Sequence, residues 1–492
     1  MGYLLALVFG ALHAASFAPT GLWWLQILAL AGLAVLTERQ APGRAAMLGW
    51  SFGLGWMATG LWWLYISLHD FGGLPAPFAI GALVLLSLFL AHYYAVAMAL
   101  LAWLVPSGPA GAKRTLWRVP GFAAAWLLGE LARATFFTGF PWIASGYAHT
   151  VGPLAGWAPW VGVYGICFIA AACAAALASR DWRAIVAVAL VAGAGLVLPQ
   201  EFTVSTGQLK VSLVQPNVRQ DQKFDADLMD GNLESLTRQI ESANGQLVIT
   251  PESVVPLPIG FLPEEPLNRM KHVAEKRPVL LGIFLGDERS GYVNSHIALG
   301  TEPRYEYGKR HLLPFGEFVP TGFHWFVKML GIPMEDQATG RTQAPLIVDG
   351  QRLRPLICYE DLFGEDFVQS ALPGDDEANI FINLSNLAWF GTVMVLDQHL
   401  QFSQMRALEF QRPFVRSTNT GATAVVDHHG RVTERLPAAT RGVLEASVEG
   451  RRGTTPYARW LGVLGLVPLW LLGVLLMVVA WRGAQMGSDR GR

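Results

Sequence analysis

The chain has 492 residues, 36 basic and 37 acidic, for a formal net charge of -1. Hydrophobic residues make up 52% and charged ones only 15%, against roughly 25% charged in an average soluble domain, so lipid is expected to solvate part of the chain. The near-zero charge excludes a generally basic nucleic-acid binder, three cysteines exclude a disulfide scaffold, and the apolar content excludes intrinsic disorder.

The charges are unevenly spread. Residues 1–200 hold 12 of the 73, four acidic (Glu38, Asp70, Glu130, Asp181) and eight basic. This predicts a membrane bundle over 1–203, a water-soluble domain over 204–456, and a last span with a short tail over 457–492. A membrane span needs roughly 20 mostly apolar residues. Candidate spans lie at about 2–18, 21–37, 45–66, 77–104, 119–138, 154–179, 184–200 and 459–481. Residues 1–18 lack the basic start of a secretory signal and read as an uncleaved first span.

Loop charges set the expected direction. Arg39 and Arg44 follow span two, Lys113, Arg114 and Arg118 follow span four, and Arg180 and Arg183 follow span six. Arg482, Arg490 and Arg492 follow span eight, whereas the short loops after spans one, three and five carry no Lys or Arg. The positive-inside rule then places both termini in the cytoplasm and residue 201 on the opposite side, which is the periplasm in a bacterium with two membranes. Glu130 and Arg133 share a helix face at i and i+3, either as an ion pair pointing into the bundle or with a role in lipid or substrate access. Trp56, Trp62, Trp63 and Tyr65 read as an interfacial aromatic belt.

From about 204 the periodicity changes. Short apolar runs at 209–216, 246–250, 278–284, 356–358, 379–384 and 423–426 read as buried strands, with helical patterns at 227–243, 264–276 and 397–411. Their alternation indicates an α/β domain. Cys167 and Cys173 fall in span six as small packing residues, leaving Cys358 as the single cysteine of the soluble domain. It ends a predicted strand, where α/β domains place chemistry. Alone it is either buried and inert or reactive.

Two further segments accompany it, TPES at 250–253 and GKRHLLPFGEFVP at 308–320. Together Glu252, Lys309 and Cys358 can form a base, a cation and a nucleophile. The carboxylate takes the thiol proton, and the ammonium raises the thiolate fraction and stabilises the oxyanion of a tetrahedral intermediate.

These segments resemble the nitrilase superfamily. VSLVQPN at 211–217, ICYE at 357–360, NLSNLAWFG at 383–391 and QHLQFSQMRALEFQRPFVRSTNTG at 398–421 extend the likeness. With spans on both sides and GFPW at 139–142, the whole chain resembles the bacterial apolipoprotein N-acyltransferase family. That resemblance implies an α-helical bundle of about eight spans with a periplasmic α-β-β-α sandwich, in the inner membrane. It implies Glu252 as general base, Lys309 as cationic residue, Cys358 as nucleophile, Glu317 as a further acidic residue, and Tyr359 and Glu360 as the residues after the nucleophile. It implies no cofactor, a phospholipid acyl donor, commonly phosphatidylethanolamine, and diacylglyceryl-modified apolipoproteins as acceptors. One departure stands at Leu387, where the family often has aspartate in NDAWFG.

Other readings carry less. His296, His311, His399, His428 and His429 show no zinc-protease pattern, and His428-His429 reads as an exposed turn, so no metal is expected. A Cys–His protease would need His399 or His311 as base without any accompanying signature. GLGWMATG at 53–60 reads as close helix packing, not a phosphate loop. A membrane-tethered amidase or hydrolase, in which water resolves the thioester, is the second function class. Finally, the segment at 321–345, apolar over 322–332 with Trp325 and Phe326 and polar from Glu335, reads as a lipid-facing lid, the alternative being a short helix buried against the core.

Overall fold

The computed structural model describes residues 1–105, 112–287, 289–322, 324–325, 336–340 and 344–489. They form two compact units, residues 1–200 with 455–492, and residues 201–454.

The first unit is helical. Helices Gly2–Ala14, Trp23–Leu36, Pro42–Gly60, Ala76–Leu104, Ala112–Thr135, Ala158–Ser179, Trp182–Ala194 and Val467–Asp489 occupy the eight apolar stretches. Three helical stretches among the described residues are long and apolar enough to cross a membrane: Ala76–Leu104, Ala155–Ser179 and Val467–Gln485. Gly2–Ala14, Trp23–Leu36 and Trp182–Ala194 are apolar but shorter. The expected continuous stretch 459–481 is broken instead, because Gly465 takes φ +56° between helices Pro456–Leu464 and Val467–Asp489. Backbone of that hand is open to glycine at no steric cost.

Glu130 and Arg133 form a 2.8 Å ion pair with both side chains fully buried. Arg133 also donates to Tyr94 Oη at 2.9 Å and to the carbonyls of Phe140 and Trp142 at 2.7 and 2.8 Å. Glu130 Oε1 accepts from the Ser145 N–H at 3.1 Å and its hydroxyl at 2.5 Å. The pair therefore holds the 140–145 segment, with its polar valences satisfied as a buried charge pair requires. The aromatic belt is corrected in part. Trp56 and Trp63 are buried, Trp56 stacking near Trp126 and Trp63 against Trp142, while Trp62 is exposed.

The second unit contains two six-stranded sheets, ordered β12-β1-β2-β3-β4-β5 and β11-β10-β9-β8-β7-β6. The strands are β1 Thr203–Gln215, β2 Leu247–Ile249, β3 Val279–Asp287, β4 Gly291–Leu299, β5 Tyr305–Gly308, β6 Leu346–Val348, β7 Gln351–Ile357, β8 Ile380–Ser385, β9 Phe414–Thr418, β10 Ala424–Val426, β11 Val432–Arg435 and β12 Gly442–Gly453. In each sheet the three central strands run parallel and the flanking ones antiparallel. Leu209, Val211, Leu213 and Ile249 of the first sheet meet Leu353, Ile380, Ile382 and Val415 of the second in one core. Successive side chains point to opposite faces, so Val214, Val248, Val279 and Leu281 turn outward. There they pack on Leu233, Leu236, Ile240 and Met270 of helices Ala226–Ser242 and Glu264–Ala274. The first helix starts where Asp225 caps the Asp227 N–H, and Arg269 ties it to the second through Glu234 and Glu241.

The central parallel strands β2, β7, β8 and β9 deliver Thr250, Cys358, Asn386 and Asn419 close to their carboxyl ends, the position where α/β sheets commonly build sites. The run 356–358 is corrected at its end: β7 stops at Ile357, and Cys358 opens a 3-10 turn.

Candidate active site

Glu252 follows β2 through the Thr250-Pro251 turn, which is pinned by two 3.0 Å bonds to the Leu280 carbonyl, from the Thr250 amide and hydroxyl. The carboxylate is buried and fully engaged. Oε1 accepts from Asn294 Nδ2 at 2.7 Å and lies 3.5 Å from Lys309 Nζ, and Oε2 accepts from the Asn386 N–H at 2.8 Å.

Lys309 is the first residue after β5, its N–H held by the Asn294 carbonyl at 2.8 Å. Its ammonium is buried and lies 2.7 Å from Glu317 Oε1, nearer than to Glu252. Burial opposes that charge, but Glu317, then Glu252 and Cys358, outweigh it and hold the lysine above its ordinary value. Glu317 Oε2 accepts from the Leu313 N–H at 2.8 Å, which closes the 313–317 loop on the cation.

Cys358 takes φ +52°, a hand rare for a residue with a Cβ. Its carbonyl accepts from Asn383 Nδ2 at 2.9 Å. The residue is partly exposed, yet burial first and the Glu252 carboxylate second push its thiol well above the ordinary value; Lys309 pulls the other way and loses. Lys309 acts on the thiol in the expected direction, toward thiolate, but does not prevail. The thiol rests protonated, because desolvation and the carboxylates of Glu252, Glu317 and Asp361 outweigh one ammonium.

Tyr359 is buried against His311 and Phe363. Glu360 is a hub. Its carboxylate accepts from the N–H groups of Ile357 (2.7 Å), Arg310 (2.7 Å) and His311 (3.2 Å) and from Tyr307 Oη (2.7 Å). It thereby ties the nucleophile's turn to the segment that carries Lys309. Burial pushes the Glu360 carboxyl up against these bonds.

Neither histidine weighed as a base stands as one. His399 is buried against Arg416, and burial, Arg416 and Lys309 hold it well below its ordinary value. His311 stacks on Phe363 with ring centres 3.5 Å apart and faces Asp366 at 3.4 Å. Behind the nucleophile, Asp361 pairs with Arg416 at 2.9 Å and accepts from Ser403 Oγ at 2.8 Å, all buried.

Trp325 is 65% exposed, whereas Phe326 and most of the expected lid lie outside the described residues. Residues 336–340 of that segment are anchored on the site: the N–H groups of Gln337 and Gly340 donate to the carbonyls of Glu317 (2.9 Å) and Lys309 (2.7 Å). Asn294, Asn386, Asn383 and Lys223 were missed as site residues. Asn386 sat in a quoted motif, but Asn294 sits in a strand that the periodicity did not reveal. Leu387, the departure from the family pattern, is fully buried in the 387–390 turn capped by Asn386.

Among the described residues, Glu201, His428 and His429 are close enough to share a metal ion. His429 and His428 lie 3.1 and 3.7 Å from Glu201, but so does the Arg451 guanidinium at 3.1 Å, which already neutralises that carboxylate. The histidine turn is more buried than expected.

A profile described as Apolipoprotein N-acyltransferase N-terminal domain matches residues 9–176, and one described as Carbon-nitrogen hydrolase matches residues 210–457. An apolipoprotein N-acyltransferase from Ralstonia nicotianae is 45% identical, covering 97% of this chain and 92% of its own. The chain belongs to the apolipoprotein N-acyltransferase family. Family members from Verminephrobacter eiseniae and Nitrosomonas europaea are 42% and 37% identical, covering 99% and 96% of this chain and 97% and 95% of theirs. A CN-hydrolase superfamily protein from Xanthomonas campestris of known structure is 18% identical, with a TM-score of 0.37, covering 54% of this chain and 97% of that one. As a member of the apolipoprotein N-acyltransferase family the chain is an acyltransferase and a membrane protein, and its second unit is the CN-hydrolase α/β sandwich.

Proposed function

We propose that the chain N-acylates lipoproteins through a thioester on Cys358, taking the acyl chain from a phospholipid. The observation that carries this is the buried contact of Lys309 with Glu252 (3.5 Å) and Glu317 (2.7 Å), together with the partly exposed Cys358 at the carboxyl end of β7.

In the first step the Cys358 sulfur attacks the ester carbonyl while Glu252 takes the thiol proton. The oxyanion forms near Lys309. Its collapse breaks the ester C–O bond, and the Glu252 proton leaves on the lysophospholipid hydroxyl. In the second step the neutral α-amine of a diacylglyceryl-cysteine attacks the thioester. Glu252 takes a proton from nitrogen and returns it to sulfur, leaving the amide. The reaction is ping-pong, and phosphatidylethanolamine is the donor suggested by the family. An amide is more stable than a thioester, so the second step runs downhill.

The same reading assigns 1–203 to a seven-span bundle, 204–456 to the catalytic domain and 457–492 to the eighth span and tail. Loop charges support an inner-membrane protein with both termini cytoplasmic and the catalytic domain periplasmic. The 321–345 segment is its lid, supported by exposed Trp325 and by the anchoring of 337 and 340 on the site.

Protein incubated with phosphatidylethanolamine alone should gain the mass of one acyl group, release one equivalent of lysophospholipid and then stall. Cys358→Ala should do neither. Acylation of the variant would overturn the nucleophile, and continuous release of fatty acid without amine would establish a hydrolase.

A further inference from the structure

The chain turns Glu252 out of the sheet immediately after β2, and the register shows how. The N–H groups of Val248 and Thr250 donate to the carbonyls of Pro278 and Leu280, both at 3.0 Å. Bonds in a parallel ladder are evenly spaced, so the next would run from the Gly282 N–H to the Thr250 carbonyl. It runs instead to the Thr250 hydroxyl, at 3.0 Å. That hydroxyl passes its own hydrogen to the Leu280 carbonyl, also at 3.0 Å. A side-chain oxygen thus stands in the ladder where a main-chain oxygen would, and the 250–251 peptide is released to turn. Pro251, with no N–H to place, suits the departure.

The turn lies directly on Gly282. A Cβ there would meet the Pro251 carbonyl oxygen at 2.1 Å and the Ser253 nitrogen at 2.9 Å, so only glycine lets the turn come so close. Gly282 also takes the chain back, its carbonyl accepting from the Val255 N–H at 3.1 Å. Between these two attachments Ser253 takes φ +42°, and its hydroxyl accepts from Lys223 Nζ at 2.8 Å. Backbone of that hand persists only where its surroundings over-determine it. Thr250 and Gly282 supply that determination from a fully buried position.

We infer that Thr250 is a positioning residue for the reaction: its hydroxyl, by replacing its own carbonyl in the ladder, sets the turn that presents Glu252 to Lys309. The inference rests on Glu252 being the general base. Asn294 and the Asn386 N–H hold the carboxylate itself, whereas Thr250 and Gly282 hold the backbone behind it. Valine has nearly the shape of threonine without the hydroxyl. In Thr250→Val the buried Gly282 N–H loses its acceptor, and an unpaired buried donor is destabilising. The carbonyl of residue 250 can satisfy it only by rotating into the ladder, which straightens the chain and draws Glu252 away from Lys309.

The test compares Thr250→Ser, which keeps the hydroxyl, with Thr250→Val and Thr250→Ala, which lose it. Lysophospholipid release from phosphatidylethanolamine micelles is followed in a single turnover of the full-length protein, as a function of lipid concentration. The serine variant should release at close to the wild-type rate. The valine and alanine variants should be about ten- to a hundredfold slower at saturating lipid, with half-saturation unchanged, and whichever of them folds decides. A wild-type rate without the hydroxyl, equal losses in all three variants, or a loss that appears as weaker half-saturation would each overturn the inference. So would failure of both hydroxyl-free variants to fold, which would make Thr250 a residue of the fold alone. No release by the wild type, release by Cys358→Ala, or an undiminished rate in Glu252→Gln would instead overturn the reaction proposed above.

Discussion

Glu360→Gln isolates what the hub carboxylate does. The side chain keeps its shape and loses its charge. Four donors converge on the wild-type group: the amides of Ile357, Arg310 and His311, and the Tyr307 hydroxyl. An amide has one oxygen, which can keep Arg310 and His311. Its NH2 then faces Tyr307, whose hydroxyl can rotate to accept, and the Ile357 N–H, which cannot. One buried backbone donor is orphaned, at about 1–3 kcal/mol. The remaining bonds lose charge assistance, roughly 1 kcal/mol each. Relief of the buried charge, visible in the raised Glu360 carboxyl, offsets part of this. A net destabilisation of about 2–4 kcal/mol follows. For a unit of this size that is a fall in melting temperature on the order of 5–15 °C. Ile357 immediately precedes the nucleophile, so single-turnover acylation should fall by at least about tenfold at a temperature where the variant is folded. Scanning fluorimetry in detergent and a quenched lysophospholipid assay measure the two. A variant with wild-type melting and wild-type acylation would refute the hub.

Glu317→Gln removes the nearer partner of Lys309 while Glu252 still holds it protonated; acylation should slow by about a hundredfold with melting nearly unchanged, and an unchanged rate would remove Glu317 from the reaction. The Cys358 thiol, raised by burial and Glu252, should react with iodoacetamide more slowly than a free thiol at pH 7 and accelerate only at a pH higher than a free thiol requires; fast alkylation at pH 7 would contradict a protonated resting state. Replacing Trp325 and Phe326 together by Ser should depress turnover on phospholipid vesicles far more than alkylation of Cys358. Equal losses, or a clear drop in melting temperature, would make these residues core.

The parts legible in the sequence were those whose residue type is unusual for its position. Glu252 and Cys358 are polar groups at the ends of apolar strands, Lys309 sits in the 308–320 motif, and the structure places Glu252 and Lys309 3.5 Å apart. Strand β4 (GYVNSHIAL) escaped because glycine, asparagine, serine and histidine interrupt its apolar run, and β12 because one face of it is solvated. Asn294 and His296 both sit on β4, so missing that strand concealed an inner partner of the base. Lys223 lies in a polar turn that reads as solvated, and its burial comes from contacts distant in sequence. Trp56 and Trp63 failed for another reason. Aromatics suit a membrane interface and a helix-bundle core equally, and only packing distinguishes the two.

The resting state explains why acyl transfer need not leak into hydrolysis. Glu252 accepts bonds from Asn294 Nδ2 and from the Asn386 N–H, so both of its oxygens are engaged at rest. The thiol beside it is a weakened acid. In the proposed reaction, loss of the thiol proton is therefore unfavourable until a carbonyl arrives whose developing oxyanion Lys309 can meet. Lys309 is prepared for that role because Glu317, at 2.7 Å, holds its ammonium beside the base without requiring Glu252 to neutralise it alone. In the proposed reaction attack thus depends on an ester seated against the cation, so the thiol is not spent before a donor binds. At the proposed thioester stage a neutral amine is favoured over water, since the amine is the stronger nucleophile and needs less help in losing its proton.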